Sequence, residues 1–415
     1  MNYPRILVLS LLLAPCTLAQ RAVVVDGLNG PGTSHTTIDA AMLDLRQGDV
    51  ITVRAGTYYG GTYTTPYSFV LVGEGSPTVQ PVDTQHPALD LTCSGGDHQR
   101  VSVKGMRFES QNTGQWAIAL KSNFLPPAVH LEDCIAESTS PQADRNALYA
   151  RSVWLTVARC TLATTQIQDA SAAFTDCTII GHSQDYYAGV ISQHAQSALD
   201  VIRSKVWVAD CALSAGDSHF VTASPPACVH FADNTSSTYS SSQLFLSGNT
   251  TLRADQEPSA SVTPPDVLHN NHYYYPAWPA VTHEPTVTFV PAPGGAVFGQ
   301  SITNQTGSVP SLRTTPAALG GSWICTVHGP VGELAGLAIG FASWVHEFQG
   351  FPMLLDHTQS AIAGFATLGA TGSAQFAFPL PNDPAFRGLV FEGQGALISP
   401  LGAIAATNPA SGIVW

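Results

Sequence analysis

One short phrase recurs seven times between residues 101 and 249: VSVKGM at 101, VHLEDC at 129, LTVARC at 155, AAFTDC at 172, VWVADC at 206, VHFADN at 229 and LFLSGN at 244. The first and third residues of every copy are apolar. Alternate side chains of a strand share a face, so pairs such as Val129 and Leu131, or Val206 and Val208, point the same way, inward. The fifth position is Gly105, Asp133, Arg159, Asp176, Asp210, Asp233 or Gly248. Gly and Asp tolerate the positive φ of a sharp bend, and Arg159 is the exception. Each copy therefore reads as a strand, a corner and the start of the next strand. Successive copies start 28, 26, 17, 34, 23 and 15 residues apart, which fits a coil whose connecting loops vary in length. No copy can bury its own apolar face, so the copies must stack.

A second phrase precedes several copies: Ala88-Leu89-Asp90, Ala119-Leu120-Lys121, Ala147-Leu148-Tyr149 and Ala198-Leu199-Asp200. The last two begin 13 residues before Cys160 and Cys211. Strand, short turn, strand, tight corner, strand and variable loop make one turn of a right-handed parallel β-helix. TTIDAAMLDLRQGD at 36–49 predicts a capping helix at the N-terminal end, with Ile38, Ala41, Met42 and Leu45 on one face and Gly48 closing it.

At the N-terminus Arg5 is the lone charge, Ile6 to Leu13 are an apolar run too short to span a bilayer, and Thr17-Leu18-Ala19 suits cleavage before Gln20. Residues 1–19 thus read as a signal peptide, with lipidation at Cys16 as the alternative, and the protein as secreted or at the cell surface. Cleavage removes one base and no acid, moving the formal charge from −13 to −14, so nucleic acid is not an expected partner. No later segment could span a membrane, and the oligomeric state stays open. Cys134, Cys160, Cys177 and Cys211 share one repeat position. They would stack about 4.8 Å apart as small buried hydrophobes, neither bridged nor converging on zinc. Cys211 with Cys228 is the pair to test for a disulfide.

A leading VVVDG at 23–27, a short helix, GDVITVRAGTY at 48–58 and a strand ending LVGEG at 71–75 resemble the opening of the pectate-lyase-like superfamily of right-handed β-helix proteins, pectin methylesterases included. With the repeats the resemblance covers about residues 22–253. It implies the fold and leaves the reaction open. Trp116 stands where the methylesterases carry a Gln, or Gln115 is that Gln shifted by one; Asn146 stands where their acid/base Asp belongs, and Thr164 near the start of the segment that should open with their nucleophilic Asp. Their Arg-Pro-Trp motif is absent, so methylesterase activity is not expected.

The resemblance also implies a ligand groove outside the strand that precedes the short turn. The outward residues of the second phrase, Asp90, Lys121, Tyr149, Gln168 and Asp200, would line it. Arg151 and Arg203 lie just beyond, and the 181–197 loop, with Asp185, Tyr186 and His194, overhangs it. Asp90 and Asp200 are four coils apart, roughly 19 Å, too far for glycoside hydrolysis, whose carboxylates need about 5 to 9.5 Å. Lys121 and Tyr149 on adjacent coils would suit proton abstraction and donation in β-elimination. The leading expectation is a polysaccharide-engaging protein, a lyase if it is an enzyme. The alternative is a non-catalytic adhesive or structural β-helix. No cofactor is expected, and calcium stays open. Trp207 and Phe245 point outward one sheet further round, either to stack on sugars or, the preferred reading, to pack beneath a loop or a neighbouring domain.

The helix is expected to span residues 20–256. A Pro- and Ser-rich linker or junction should follow over 257–284 and a C-terminal antiparallel β-sandwich over 285–415, read from short strands separated by Gly and Pro. His269 and His272 read as part of an extended junction, without metal.

Overall fold

The computed structural model describes residues 20–415 except 84, 112–114, 139–145, 184, 188–189, 194, 218–225, 232–241, 257–266, 270–279, 300–301, 342, 349–350 and 356–359; at 138, 185–187, 190–193, 267, 269, 343–348, 351–352 and 354 it describes the backbone alone. Among the described residues the coil forms three parallel sheets of eleven, eight and nine strands. Parallel neighbours need a crossover, and the chain makes it by visiting the three sheets in the same order coil after coil. The result is a right-handed parallel β-helix.

Six of the seven recurring phrases lie side by side on the eleven-stranded sheet. Val101, Val129, Leu155, Ala172, Val206 and Leu244 are register partners in that order, and none is more than 2% exposed. The seventh, at 229, belongs to the eight-stranded sheet, where Val229 pairs with Leu199. Its apolar-polar-apolar pattern fits either wall of the coil, and only the register distinguishes them. At the corners Gly105, Asp133, Arg159, Asp176, Asp210 and Gly248 all take φ between 53° and 66°. Arg159 adopts the strained conformation too, with its guanidinium bonded to Asp133 and Glu132 across the corner.

Cys134, Cys160, Cys177 and Cys211 fill the next position, buried and free. The Cys134 N–H donates to Cys160 Sγ at 3.4 Å, and the Cys177 N–H to Cys211 Sγ at 3.3 Å. Cys228 is also free; it leads into the eight-stranded sheet while Cys211 leads into the nine-stranded one, so the suggested bridge does not form. The capping helix spans Ile38–Leu43, shorter than the sequence pattern suggests. Thr37 caps it by accepting from the Ala40 N–H, and Ile38, Ala41, Met42 and Leu45 close the end of the coil core.

The coil continues past residue 256. Val267–His269, Ala280–His283, Thr288–Val290 and Thr303–Thr306 pair in parallel with Val229–Phe231, Gln243–Leu246, Thr251–Arg253 and Ala280–His283. The stretch expected to be a linker therefore carries strands of the coil. Its Pro and Ser residues fall, in sequence, between those strands.

From Ser311 the strands turn antiparallel, in a three-stranded and a four-stranded sheet plus the hairpin of Ser343–Phe348 and Phe351–Leu355 among the described residues. Both sheets contribute to one core around Trp323, Val327, Leu337, Ile339 and Phe391, which makes a sandwich. The sandwich docks on the outside of the eleven-stranded sheet. Val390 and Ile413 pack on Val50, Val70 and Val72, while Val309 covers Ala173 and Trp207, with Trp207 stacked on Phe245 at 5.0 Å and 13°. The outward aromatics of this sheet are thus packed under a domain.

Charges complete the interface. Arg100 pairs with Glu392 at 2.9 Å and donates to the Phe341 carbonyl at 2.7 Å. Arg313 of the sandwich pairs with the corner carboxylate of Asp210 at 2.5 Å. Glu132, fully buried, accepts from Lys104 at 2.7 Å and from Arg159, and lies 3.1 Å from His130 Nε2. Its second oxygen accepts the backbone N–H of Ile413 at 3.0 Å, and Lys104 donates to the Ile413 carbonyl at 3.2 Å. Nearby, burial, with the Arg313 charge beside it, pushes the His328 imidazole down to about 4, against the opposing pull of Asp210. Between the ordinary histidine value of 6.5 and 4 the unfolded chain binds the proton that the folded chain refuses. His328's contribution is therefore whole above pH 6.5 and shrinks as the pH falls toward 4. His328→Gln should flatten the pH dependence of the urea midpoint over that window.

Candidate functional site

The outer face of the eight-stranded sheet is where the sequence places a groove, and the register decides what lines it. Asp90 pairs with Ala119, Ala119 with Tyr149, Tyr149 with Gln166, Gln166 with Asp200, and Asp200 with His230. Lys121 and Gln168 fall two residues further along their strands, where Lys121 pairs with Arg151 and Arg151 with Gln168. The expected single column is thus two columns. The slip has a simple cause: Ile118 and Leu120 are both apolar and both face inward, so Ala117-Ile118-Ala119 satisfies the repeat as well as Ala119-Leu120-Lys121 does, and a two-residue shift preserves the face.

The side chains of the expected acid–base pair are engaged elsewhere. Lys121 donates to both oxygens of Asp90, at 3.0 and 3.2 Å, and the Tyr149 hydroxyl donates to Gln168 Oε1 at 3.0 Å. Asp90 and Asp200 remain four register steps apart, as the sequence suggests. Arg151 is exposed at the end of its strand. Arg203 sits at a corner with φ 47° and clamps Asp169 of the preceding coil at 2.5 and 2.7 Å, so it braces the scaffold. Asp185 and Tyr186 lie in a strand that pairs antiparallel with Val190–Gln193, with only their backbone described, and His194 lies outside the described residues.

A cleft opens on this face, with a volume of about 400 Å³. Trp116, Asn146 and Thr164, register partners on three successive coils, form one wall. Gln166, Gln196, Asp200 and His230 line it further along, with Leu268 at the far end. These are the positions at which the sequence departs from the methylesterase pattern: Trp for Gln, Asn for the acid/base Asp, Thr near the nucleophilic Asp. The fold brings the three together, with no carboxylate among them.

The local chemistry is polar. Thr164 Oγ1 donates to Gln196 Oε1 at 3.1 Å, and His230 Nδ1 lies 3.1 Å from Asp200 Oδ1, which orients the imidazole. Trp116 stacks on Tyr149 with centroids 5.7 Å apart and planes 29° apart, so Tyr149 serves the cleft by holding the indole. Gln166 and His230 are lining residues that sequence reasoning passed over, and Trp116 entered it only as a departure from the methylesterase pattern. The signal for His230 was present, since Cys228-Val229-His230 is one more version of the Ala-Leu-x strand. Among the described residues no group of three or more His, Cys, Asp or Glu converges as metal ligands, and no helix is long and apolar enough to cross a membrane.

No protein-family model matches the sequence, and no curated protein is similar to it. Among solved structures, the chain is similar to the pectate lyase Pel9A, with a TM-score of 0.38 and 9% identity over 69% of this chain and 79% of that one. It is also similar to the enzymatically active domain of bacteriophage CBA120 tailspike protein 2, with a TM-score of 0.30 and 8% identity over 96% of this chain and 76% of that one. A third likeness, to the sporulation control protein Spo0M of Bacillus subtilis, has a TM-score of 0.16 and 16% identity over 26% of this chain and 49% of that one. The right-handed parallel β-helix stands on the chain's own three parallel sheets.

Proposed function

We propose that this is an exported protein that holds a polysaccharide along the outer face of its eight-stranded sheet, at the cleft between Trp116 and His230. The observation that carries the reading is the convergence there of an indole with amide, hydroxyl and imidazole side chains from consecutive coils. A ring supplies a flat apolar surface for the C–H face of a sugar, and fixed donors and acceptors read the hydroxyls around it. The parallel coil repeats such groups about every 4.8 Å, which suits a ligand that is itself a repeating chain. Four register steps separate Ala119, beside Trp116, from His230, roughly 19 Å along the axis, room for several sugar units.

The reading is one of binding. β-Elimination would call on Lys121 and Tyr149, whose side chains are bonded to Asp90 and Gln168 instead. Glycoside hydrolysis would call on two carboxylates, and Asp200 is the one that lines the cleft among the described residues. A glycan array probed with the full chain and with Trp116→Ala tests the proposal. The native chain should retain one class of polysaccharide, and Trp116→Ala should lose roughly tenfold in affinity or more. Equal retention by both proteins would remove the cleft as the binding site.

A further inference from the structure

We infer that the glycan this cleft takes is uncharged. The inference rests on the binding reading above and specifies its substrate class. The lining supplies Asn146, Thr164, Gln166 and Gln196, neutral groups that both donate and accept, and its one carboxylate among the described residues is Asp200, bonded to the His230 imidazole. Every hydroxyl of a neutral sugar likewise donates and accepts, so such a lining matches it. A uronate or sulfated sugar would instead bring its anion beside Asp200, on a chain whose formal net charge is −13. Like charges meeting in a partly desolvated cleft disfavour that ligand, and the field of the whole chain slows its approach.

An acidic glycan would need cations to offset this, and the chain has 16 Lys and Arg against 29 Asp and Glu, several of them committed elsewhere and Arg151 exposed beyond the lining. Of three lysines, Lys104 serves Glu132 at the domain interface, Lys121 serves Asp90, and Lys205 belongs to the eleven-stranded sheet. Arg100, Arg159 and Arg313 are committed to the docking of the sandwich or to its supporting corner, and Arg203 to Asp169. None of the described lining residues is Lys or Arg. By sequence, the stretches 184–194, 218–225, 232–241 and 257–279, which neighbour lining residues along the chain, contain neither, while 139–145 contributes Arg145 next to Asn146.

The test is isothermal titration of the full chain with a neutral panel (xylan, β-glucan, galactomannan) and an acidic panel (polygalacturonate, alginate, a sulfated galactan), each at low and high salt. The expected result is saturable binding to a member of the neutral panel, changing less than about twofold with salt because no ion pair is made. Trp116→Ala and, separately, His230→Ala should each weaken it roughly tenfold, with thermal melts confirming that each variant folds. Binding confined to the acidic panel, or affinity that drops roughly tenfold as salt rises, would overturn the substrate class while leaving polysaccharide binding in place. No binding to either panel would overturn the binding reading itself.

Discussion

Replacing Glu132 by alanine is expected to loosen the sandwich from the coil and to cost about 3–5 kcal/mol, the range for removing one partner of a buried ion cluster. Glu132 is fully buried and is the acceptor on which Lys104, Arg159 and the Ile413 N–H converge, with His130 beside it. Its loss leaves two cations and a backbone N–H without that acceptor, in a place from which water is largely excluded. Burial alone would raise the Glu132 carboxyl, but the His130 hydrogen bond and the charges of His130, Lys104 and Arg159 outweigh it and hold the carboxyl down at about 2. The stability it contributes is therefore present above the ordinary value of 4.5 and is lost as the pH falls toward 2. Urea denaturation should show the variant's sandwich melting in a separate, earlier transition, and limited proteolysis should begin to cut near residues 307–310. A single transition at the native midpoint would mean that the apolar contacts of Val390, Ile413 and Val309, with the Arg100–Glu392 and Arg313–Asp210 pairs, hold the two parts together without Glu132.

The second large effect lies in the coil. Phe174→Ala removes one of the largest fully buried side chains, in a core that runs the length of the helix. The expected loss is about 3–5 kcal/mol, transfer and cavity terms together. The backbone hydrogen bonds of the flanking strands limit how far the coil can collapse into the space. Because neighbouring coils stabilise one another, the damage should spread along the axis, and hydrogen exchange should quicken on the strands at 154–158 and 205–209 as well as at 171–175. Loss of protection confined to 171–175 would argue that the coils are energetically independent.

Where the sequence was legible, the reason was periodicity. Inward pairs such as Val129 and Leu131 must recur with period two, and corners must take positive φ, so phrases like VHLEDC announce both. Periodicity is silent about shifts that preserve it. Lys121 is two residues out of the expected column because Ile118 and Leu120 are equally good inward residues, and VHFADN at 229 lies on a different wall from the copies it matches. Asn146 and Thr164 could be picked out as departures from a pattern; that they sit beside Trp116 in one wall depends on a register that shifts between Asn146 and Leu148. The docking of the sandwich left one local trace, the outward aromatics Trp207 and Phe245, and none of its polar part. Glu132, in an outward position of its strand, is a surface carboxylate by pattern and an interface keystone by contact, since its backbone partner is 281 residues away.

The claim on which the rest depends is that Trp116, Asn146, Thr164, Asp200 and His230 form one ligand cleft. The most direct measurement is a crystal structure of the full chain soaked with an oligosaccharide cut from whichever polysaccharide it retains. Sugar density lying along the coil axis, with one ring over Trp116 and hydroxyls within hydrogen-bond reach of Asp200 and His230, is the expected result. Density on the nine-stranded sheet or on the sandwich, with this cleft empty, would contradict it.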